Sequence, residues 1–340
     1  MPVISVILAV FNSERFIEES IQSVLTQSYS DFELIIINDA STDGTPEIIN
    51  QIRDSRIILV TNEKNHGLAK NFNKGLDLAK GNFIARMDAD DICHRDRFKK
   101  QISFFNKNPG VDVCGTWIQF FGHQNRVLRN PLKHEDIKAD LFFINNIIHP
   151  SVMFRREKFL ENNLRYDENL VILEDYNLWI KAIECKLIFA NIPKVLLKYR
   201  LLGDNFSLVR EGNKKKIDDE HFKIYERFYS VLNLDYNPLD LKIHRELGLR
   251  NTDRVDKVQL YFCLTFLKKV VIANRSSHFI CLRSFRTVII SCFSLLMQKS
   301  SIRLYPQIFS ALLHLYSLKD LSSFINYKIA IRMKGVNRFN

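Results

Sequence analysis

The sequence predicts an α/β fold, with a mostly parallel sheet flanked by helices over about its first two hundred residues and a helical region after it. Three observations predict this. Short apolar runs alternate with amphipathic stretches of about ten residues from Ile4 to Met87, the pattern of βαβ units. Polar residues gather just after those apolar runs, where open parallel sheets bind ligands. Charge divides the chain: residues 1–210 hold 27 basic and 27 acidic side chains, whereas 257–340 hold 13 basic and one acidic.

Each element follows in order. Ile4 to Val10 reads as a strand, Asn12-Ser13 as a helix N-cap, and Glu14 to Leu25 as an amphipathic helix. Phe32 to Asn38 is a second strand, Ser41-Thr42-Asp43-Gly44 a turn, Pro46 to Ile52 a helix and Ile57 to Val60 a strand. A helix over Leu68 to Ala79 and a strand over Asn82 to Met87 complete the regular part. After Pro109 the pattern loosens into a strand at Val113 to Phe121, a helix at His134 to Phe143 and a strand at Ser151 to Arg155. Glu174-Asp175 opens a helix to Glu184, and two short strands, Leu187 to Ala190 and Val195 to Arg200, close this half. Beyond Glu211 the sequence reads as helical, with Lys214-Lys215-Lys216 near the boundary, so domains are expected over 1–210 and 211–340.

Composition excludes several classes. A chain of 340 residues, 46% hydrophobic and 26% charged, with 11 Gly and 8 Pro, can bury a core and is not extensively disordered. The six cysteines show no close pair, which argues against a disulfide framework or a zinc site. Val3 to Val10 is strand-like with no basic segment before it, so no signal peptide is expected and the location is cytoplasmic. Thr287 to Met297 is the longest candidate membrane segment and falls short of the ~20 apolar residues a spanning helix needs. The apolar, basic helices of the tail suit packing as an accessory domain, with oligomerisation as one role, and its charge points also to an anionic membrane surface, peripheral on the inner face. No nucleic-acid reading motif is present, so no nucleic-acid partner is expected.

The strongest chemical signal is Ala85-Arg86-Met87-Asp88-Ala89-Asp90-Asp91, three carboxylates within four residues at the end of an apolar strand. Like charges packed this closely destabilise the fold unless a cation compensates, and hard divalent ions such as Mg2+ or Mn2+ take oxygen ligands. The same acids also suit an N-cap and solvated turn for the helix that follows near Arg95. Asp39, where a strand opens into a turn, suits either a nucleobase N–H or an Asx-turn; Asp43-Gly44 reads as turn chemistry. Asp175 follows Leu170-Val171-Ile172-Leu173 and begins a helix. It suits a general base facing an acceptor hydroxyl or, like Glu174 beside it, a carboxylate favouring the helix dipole. His149 is a candidate for acceptor, phosphate or metal contact, or a structural histidine. Arg86 and Lys70 are candidates for phosphate contact, or solvated cations.

Taken together these residues resemble family 2 glycosyltransferases, the inverting GT-A (Rossmann-like) group that builds bacterial surface polysaccharides. Pro2 to Ile7 through Phe11-Asn12 and Ser23 to Gln27 are similar to the family's first strand and helix, and Asn38 to Thr45 to its "DDGSTDGT" block. Asn65-His66-Gly67 through Asn73-Lys74-Gly75-Leu76 resembles the segment before its acidic motif, Asp88 to Asp91 that motif, and Glu174-Asp175 its catalytic pair. The resemblance implies that Asp39 binds the base of a nucleotide sugar, with Ala9, Phe11 and Glu14 around it. It assigns Asp88 and Asp90 to ribose and metal, with Asp91 completing a Mn2+ or Mg2+ site. Asp175 would deprotonate a saccharide or lipid-linked acceptor. Two departures stand out. Asn38-Asp39 replaces a common Asp-Asp, and Leu201-Leu202 follows Tyr199-Arg200 where many members carry a metal-binding histidine, leaving His149 or a neighbour to substitute. The alternative is a catalytically inactive nucleotide-binding scaffold of a polysaccharide assembly complex, and a homodimer is left open as the working form.

Overall fold

The computed structural model describes residues 1–202, 214–249 and 255–315. The chain forms two compact units, Met1–Ile137 with Asn146–Ile217, and Lys138–Asn145 with Asp218–Asn340. The expected boundary at residues 210 and 211 lies outside the described residues, as does the tail after residue 315.

In the first unit, β1 (Ile4–Val10), α1 (Ile17–Leu25), β2 (Phe32–Asn38), α2 (Thr45–Gln51), β3 (Ile57–Thr61), α3 (Leu68–Leu78) and β4 (Phe83–Asp88) alternate as the apolar pattern demands. Next come β5 (Ile92–Cys93), α4 (Arg97–Lys107), β6 (Val113–Gly122), β7 (Val127–Leu128) and α5 (His134–Leu141), whose last residues belong to the second unit. A 3-10 turn at His149–Ser151, β8 (Met153–Arg155), α6 (Arg156–Glu161), α7 (Glu174–Glu184) and β9 (Phe189–Leu201) follow. The strands make one sheet in the order β3-β2-β1-β4-β8-β6-β9-β5, with β7 on β6. The first four are parallel; β8 then runs antiparallel to both β4 and β6.

Every residue of β1 and β2 is buried, as parallel strands covered on both faces require. A fully buried aliphatic side chain contributes roughly 1.5–3 kcal/mol. Leu34, Ile35, Ile36 and Ile37, all fully buried, therefore outweigh the cost of ending β2 among polar groups. On α1, Ile17, Ile21 and Val24 recur at helical spacing and face the core.

Two expected features fall differently. The helix predicted from Glu14 begins at Ile17, and Asn12-Ser13 does not cap it. Asn12 lies at φ 48°, and its Oδ1 accepts from Thr42 N–H at 2.8 Å. The Ser13 hydroxyl donates to the Phe11 carbonyl at 3.1 Å. Asn12 thus reaches across to the loop after β2 and the Ser13 hydroxyl turns back to Phe11, so both are spent before the helix starts. The two short strands expected between Leu187 and Arg200 are one strand, β9, in which Ile192 faces Thr116 and Val195 faces Trp117. Pro193 and Lys194 bulge out between them, because proline has no N–H to give the ladder.

The second unit contains α8 (Lys214–Leu232) from Asp218 onward, α9 (Pro238–Leu249), α10 (Lys257–Ser277), α11 (Leu282–Lys299) and α12 (Tyr305–Leu315). Its core includes a stack of Phe142, Tyr225, Tyr229 and Phe266 around the buried His244. His244 Nε2 donates to the Phe142 carbonyl at 2.6 Å, leaving Nδ1 to accept from the Tyr229 hydroxyl at 2.8 Å. Asp256 caps α10 by accepting from the Val258 and Gln259 N–H groups, both at 2.8 Å. Among the described residues no helix is long and apolar enough to cross a membrane.

Candidate active site

Strand register brings the predicted residues to one rim. Ala9 on β1 lies between Ile37 of β2 and Asp88 of β4, and Asp39 N–H donates to the Val10 carbonyl at 2.8 Å as β2 ends. Phe11 leaves β1 with its ring half exposed. Glu14, also exposed, accepts from Gly44 N–H at 2.7 Å while its own N–H donates to Asp43 at 3.1 Å. The loops after β1 and β2 are thereby laced together beside Asp39.

Asp39 is buried and well occupied. Its Oδ1 accepts from the Asn62 amide and the His66 N–H, both at 2.8 Å, and its Oδ2 accepts from Gly67 N–H at 2.9 Å. Gly67, at φ 83°, adopts a backbone that side-chain-bearing residues avoid, and this turns its N–H toward the carboxylate as α3 begins. The local turn bond falls instead to Asn38, whose Oδ1 accepts from Ser41 N–H at 3.1 Å, while the Asp39 carboxylate at the rim ties down the distant segment before α3. Lys70, exposed in the first turn of α3, has no hydrogen bond or ion pair with the other expected residues among those described.

The acidic motif is held from behind. The Ser20 hydroxyl of α1 donates to the Asp88 carbonyl at 2.8 Å, and the Ser23 hydroxyl accepts from Cys93 N–H at 2.9 Å. Arg97, fully buried on α4, donates to the carbonyls of Arg86 and Val152. From β9, Arg200 N–H donates to Asp91 Oδ1 at 2.9 Å and its guanidinium to the Asp90 carbonyl at 2.8 Å. Burial first, then the Asp88 charge, pushes the Asp90 carboxyl up to about 6. Burial, then Asp88 and Asp90, raises Asp91 well above the carboxylate range.

Arg86 is a buried group of β4, not a solvated cation, and its guanidinium pairs with Asp88. It lies 4.7 Å over the Phe72 ring, which in turn meets the rings of Tyr166 at 5.3 Å and His149 at 5.5 Å. His149 Nε2 hydrogen-bonds the Tyr166 hydroxyl at 2.7 Å, and its Nδ1 is 3.9 Å from Asp175 Oδ2 at the start of α7. Burial, reinforced by Arg86, holds the imidazole well below its usual pKa, so it is neutral at physiological pH. Asn73 fixes Tyr166 by accepting from its N–H at 2.9 Å and donating to its carbonyl at 3.0 Å. Asp88, Arg86, His149 and Asp175 therefore lie along one contiguous set of contacts; burial works against the Arg86 charge, and Asp88 first, then Tyr166 and Glu174, raise its pKa.

Sequence reasoning did not single out Tyr166, Arg200 or the amides of Asn62 and Asn73. Tyr166 sits in an irregular loop with no periodicity to mark it, and Tyr199-Arg200 served only as a landmark.

The residues fit a divalent cation. Asp91 Oδ2 is buried with no hydrogen-bond partner, and both Asp90 and Asp91 would gain from a compensating charge. No group of three His, Cys, Asp or Glu side chains that could hold a metal occurs among the described residues. Mg2+-type ions are nevertheless commonly held by one or two carboxylates together with substrate phosphates.

A sequence profile described as "Glycosyl transferase family 2" matches residues 5–164. An uncharacterised glycosyltransferase of Haemophilus influenzae is 32% identical over 275 residues, spanning 75% of this chain and 82% of that protein. The chain belongs to glycosyltransferase family 2. Another relative, the amylovoran biosynthesis glycosyltransferase AmsE of Erwinia amylovora, is 31% identical across 65% of this chain and 84% of its own. The O-antigen biosynthesis glycosyltransferase WbnJ of Escherichia coli is 34% identical across 59% of this chain and 80% of its own. In fold, the family 2 chain is similar to S. aureus TarS 1–349 solved in complex with UDP-GlcNAc, with a TM-score of 0.60, 18% identity, and coverage of 99% of this chain and 93% of that one. It is a glycosyltransferase with a GT-A-like sheet and a helical C-terminal region.

Proposed function

We propose that this family 2 glycosyltransferase moves a sugar, with inversion, from a UDP-sugar to a hydroxyl of a saccharide or lipid-linked saccharide during surface polysaccharide synthesis. The observation that carries the reading is the contiguity of Asp88, Arg86, His149 and Asp175, which puts an acidic donor-side motif and a candidate base on the same packed network. The names of AmsE and WbnJ support the polysaccharide context, and the UDP-GlcNAc bound by TarS supports a uridine donor.

In this reading Asp39 meets the base beside Ala9, Phe11 and Glu14, while Asp88 and Asp90 face the ribose and diphosphate. Asp90 and Asp91 would hold Mn2+ or Mg2+, which when bound supplies positive charge to the departing diphosphate. Arg86 acts through Asp88, fixing its carboxylate; Lys70 is left as the outer cation for phosphate. Asp175 takes the proton of the acceptor hydroxyl as that oxygen attacks the anomeric carbon and the bond to the diphosphate breaks. Glu174 and the neutral His149 border the acceptor side, the latter oriented by Tyr166. The first unit carries this chemistry in the cytoplasm.

Replacing Asp175 with Asn tests the assignment. Turnover should fall roughly 10^2–10^4-fold, the usual contribution of a positioned base, while UDP binding in the presence of Mn2+ persists. Full activity in Asp175→Asn, or no binding of any nucleoside diphosphate by the parent chain, would overturn it.

A further inference from the structure

The second unit carries a helix face that its own core leaves uncovered. On α10 the residues Leu260, Cys263, Phe266, Leu267, Val270, Val271 and Asn274 point inward and are buried. Val258, Tyr261, Phe262 and Ile272 point outward, with 62%, 66%, 38% and 50% of their surface exposed. At about 100° per residue these four fall within a stripe roughly 100° wide along one side of the helix. Scattered exposed apolar residues are ordinary, but four on one stripe call for a partner.

Charge identifies the partner. Lys257 and Lys268, both exposed, follow one flank of the stripe eleven residues apart, and Arg275 continues that line with its guanidinium donating to the Leu315 carbonyl. Neither α10 nor α11 contains an acidic residue, and Asp256 is engaged in capping the helix. A second copy meeting this face would bring the same cations together with no carboxylate of either helix to balance them. Lys269 also lies on this side, its charge paired with Asp240 at 2.9 Å. A mostly apolar strip edged by cations, on a helix unfit to span a bilayer, is the pattern of helices that lie in the lipid interface.

We propose that α10 docks on an anionic lipid surface, with Val258, Tyr261, Phe262 and Ile272 entering the headgroup region and Lys257 and Lys268 meeting lipid phosphates. This surface belongs to the second unit, and its test does not depend on the transfer reaction.

The experiment is flotation of the full-length chain with vesicles of equimolar phosphatidylglycerol and phosphatidylcholine, and with phosphatidylcholine alone. The parent should float with the anionic vesicles only, and less as salt rises. Tyr261→Ser with Phe262→Ser should cut partitioning at least tenfold. Lys257→Gln with Lys268→Gln leaves the apolar stripe intact and should cut it about 25-fold at low salt, near fivefold per cation. UDP binding without vesicles should be unchanged in both variants, which separates this surface from the donor site. Equal flotation of parent and variants overturns the proposal, as does equal flotation with both vesicle types. A solution dimer that the serine pair splits without changing flotation assigns the face to a second copy and overturns it too.

Discussion

Asp39→Asn separates a ligand group from a structural clamp. In the native chain the Asp39 carboxylate accepts three N–H bonds, two at Oδ1 from Asn62 and His66 and one at Oδ2 from Gly67. An asparagine can keep its oxygen toward Asn62 and His66, but its NH2 then faces the Gly67 N–H, donor against donor. A buried donor left unsatisfied costs about 1–3 kcal/mol, and the two remaining bonds lose the assistance of the negative charge. A loss of about 3 kcal/mol in the first unit is therefore expected, together with weaker UDP binding. Both tryptophans, Trp117 and Trp179, belong to that unit, so tryptophan fluorescence during urea unfolding reports on it directly, and calorimetric titration with UDP and Mn2+ supplies the second measurement. If stability stays within about 0.5 kcal/mol of the parent while nucleotide binding disappears, the three-bond clamp carries no weight and the reasoning fails.

Other perturbations follow from single features. Ala40 sits at φ 59° in the same loop. Glycine there relieves roughly 1–2 kcal/mol of left-handed strain against a backbone-entropy cost of about 0.5–1 kcal/mol, so Ala40→Gly should raise stability by up to about 1.5 kcal/mol in thermal unfolding. In the second unit, burial lowers the His244 pKa from 6.5 to about 3. The unfolded chain takes up a proton near pH 6.5 that the folded chain refuses until near pH 3, so stability is complete above pH 6.5 and drains as pH falls toward 3. The loss is bounded by roughly 5 kcal/mol. Circular dichroism of urea unfolding should show a steeper fall between pH 6.5 and 4 for the parent than for His244→Gln; identical slopes would contradict it. For the cation site, Asp91→Asn removes one charge from a buried pair, so the apo chain should be no less stable while Mn2+ binding in the presence of UDP weakens at least tenfold by titration calorimetry, about 1.4 kcal/mol.

Much of the fold was legible because its signals are local. Seven-residue apolar runs that alternate with amphipathic helices suit parallel strands covered on both faces, and β2 and α7 have the limits their patterns predicted. The alternation of strands and helices likewise located the rim where Asp39 and Asp88 emerge. What escaped were features set by partners distant in sequence. Residues 12–14 look like a helix cap until the loop at 41–45 is present to claim their hydrogen bonds. Pro193 divides two apparent strands until β6 supplies a neighbour that carries the pairing past it. Nothing in residues 138–145 announces that they belong with the second unit.

The sequence alone determined the layered architecture and the identity of the candidate acids, because spacing and residue type suffice for both, and its motifs resembled the family that the profile match and the relatives then showed. Only the tertiary structure decided what those acids touch. Arg86 turned from a surface cation into the buried partner of Asp88, His149 became a neutral neighbour of Asp175 held by Tyr166, and Arg200 came to bind the loop of Asp90 and Asp91. Each of these pairs joins segments from different strands and helices, and only packing fixes the distance between them.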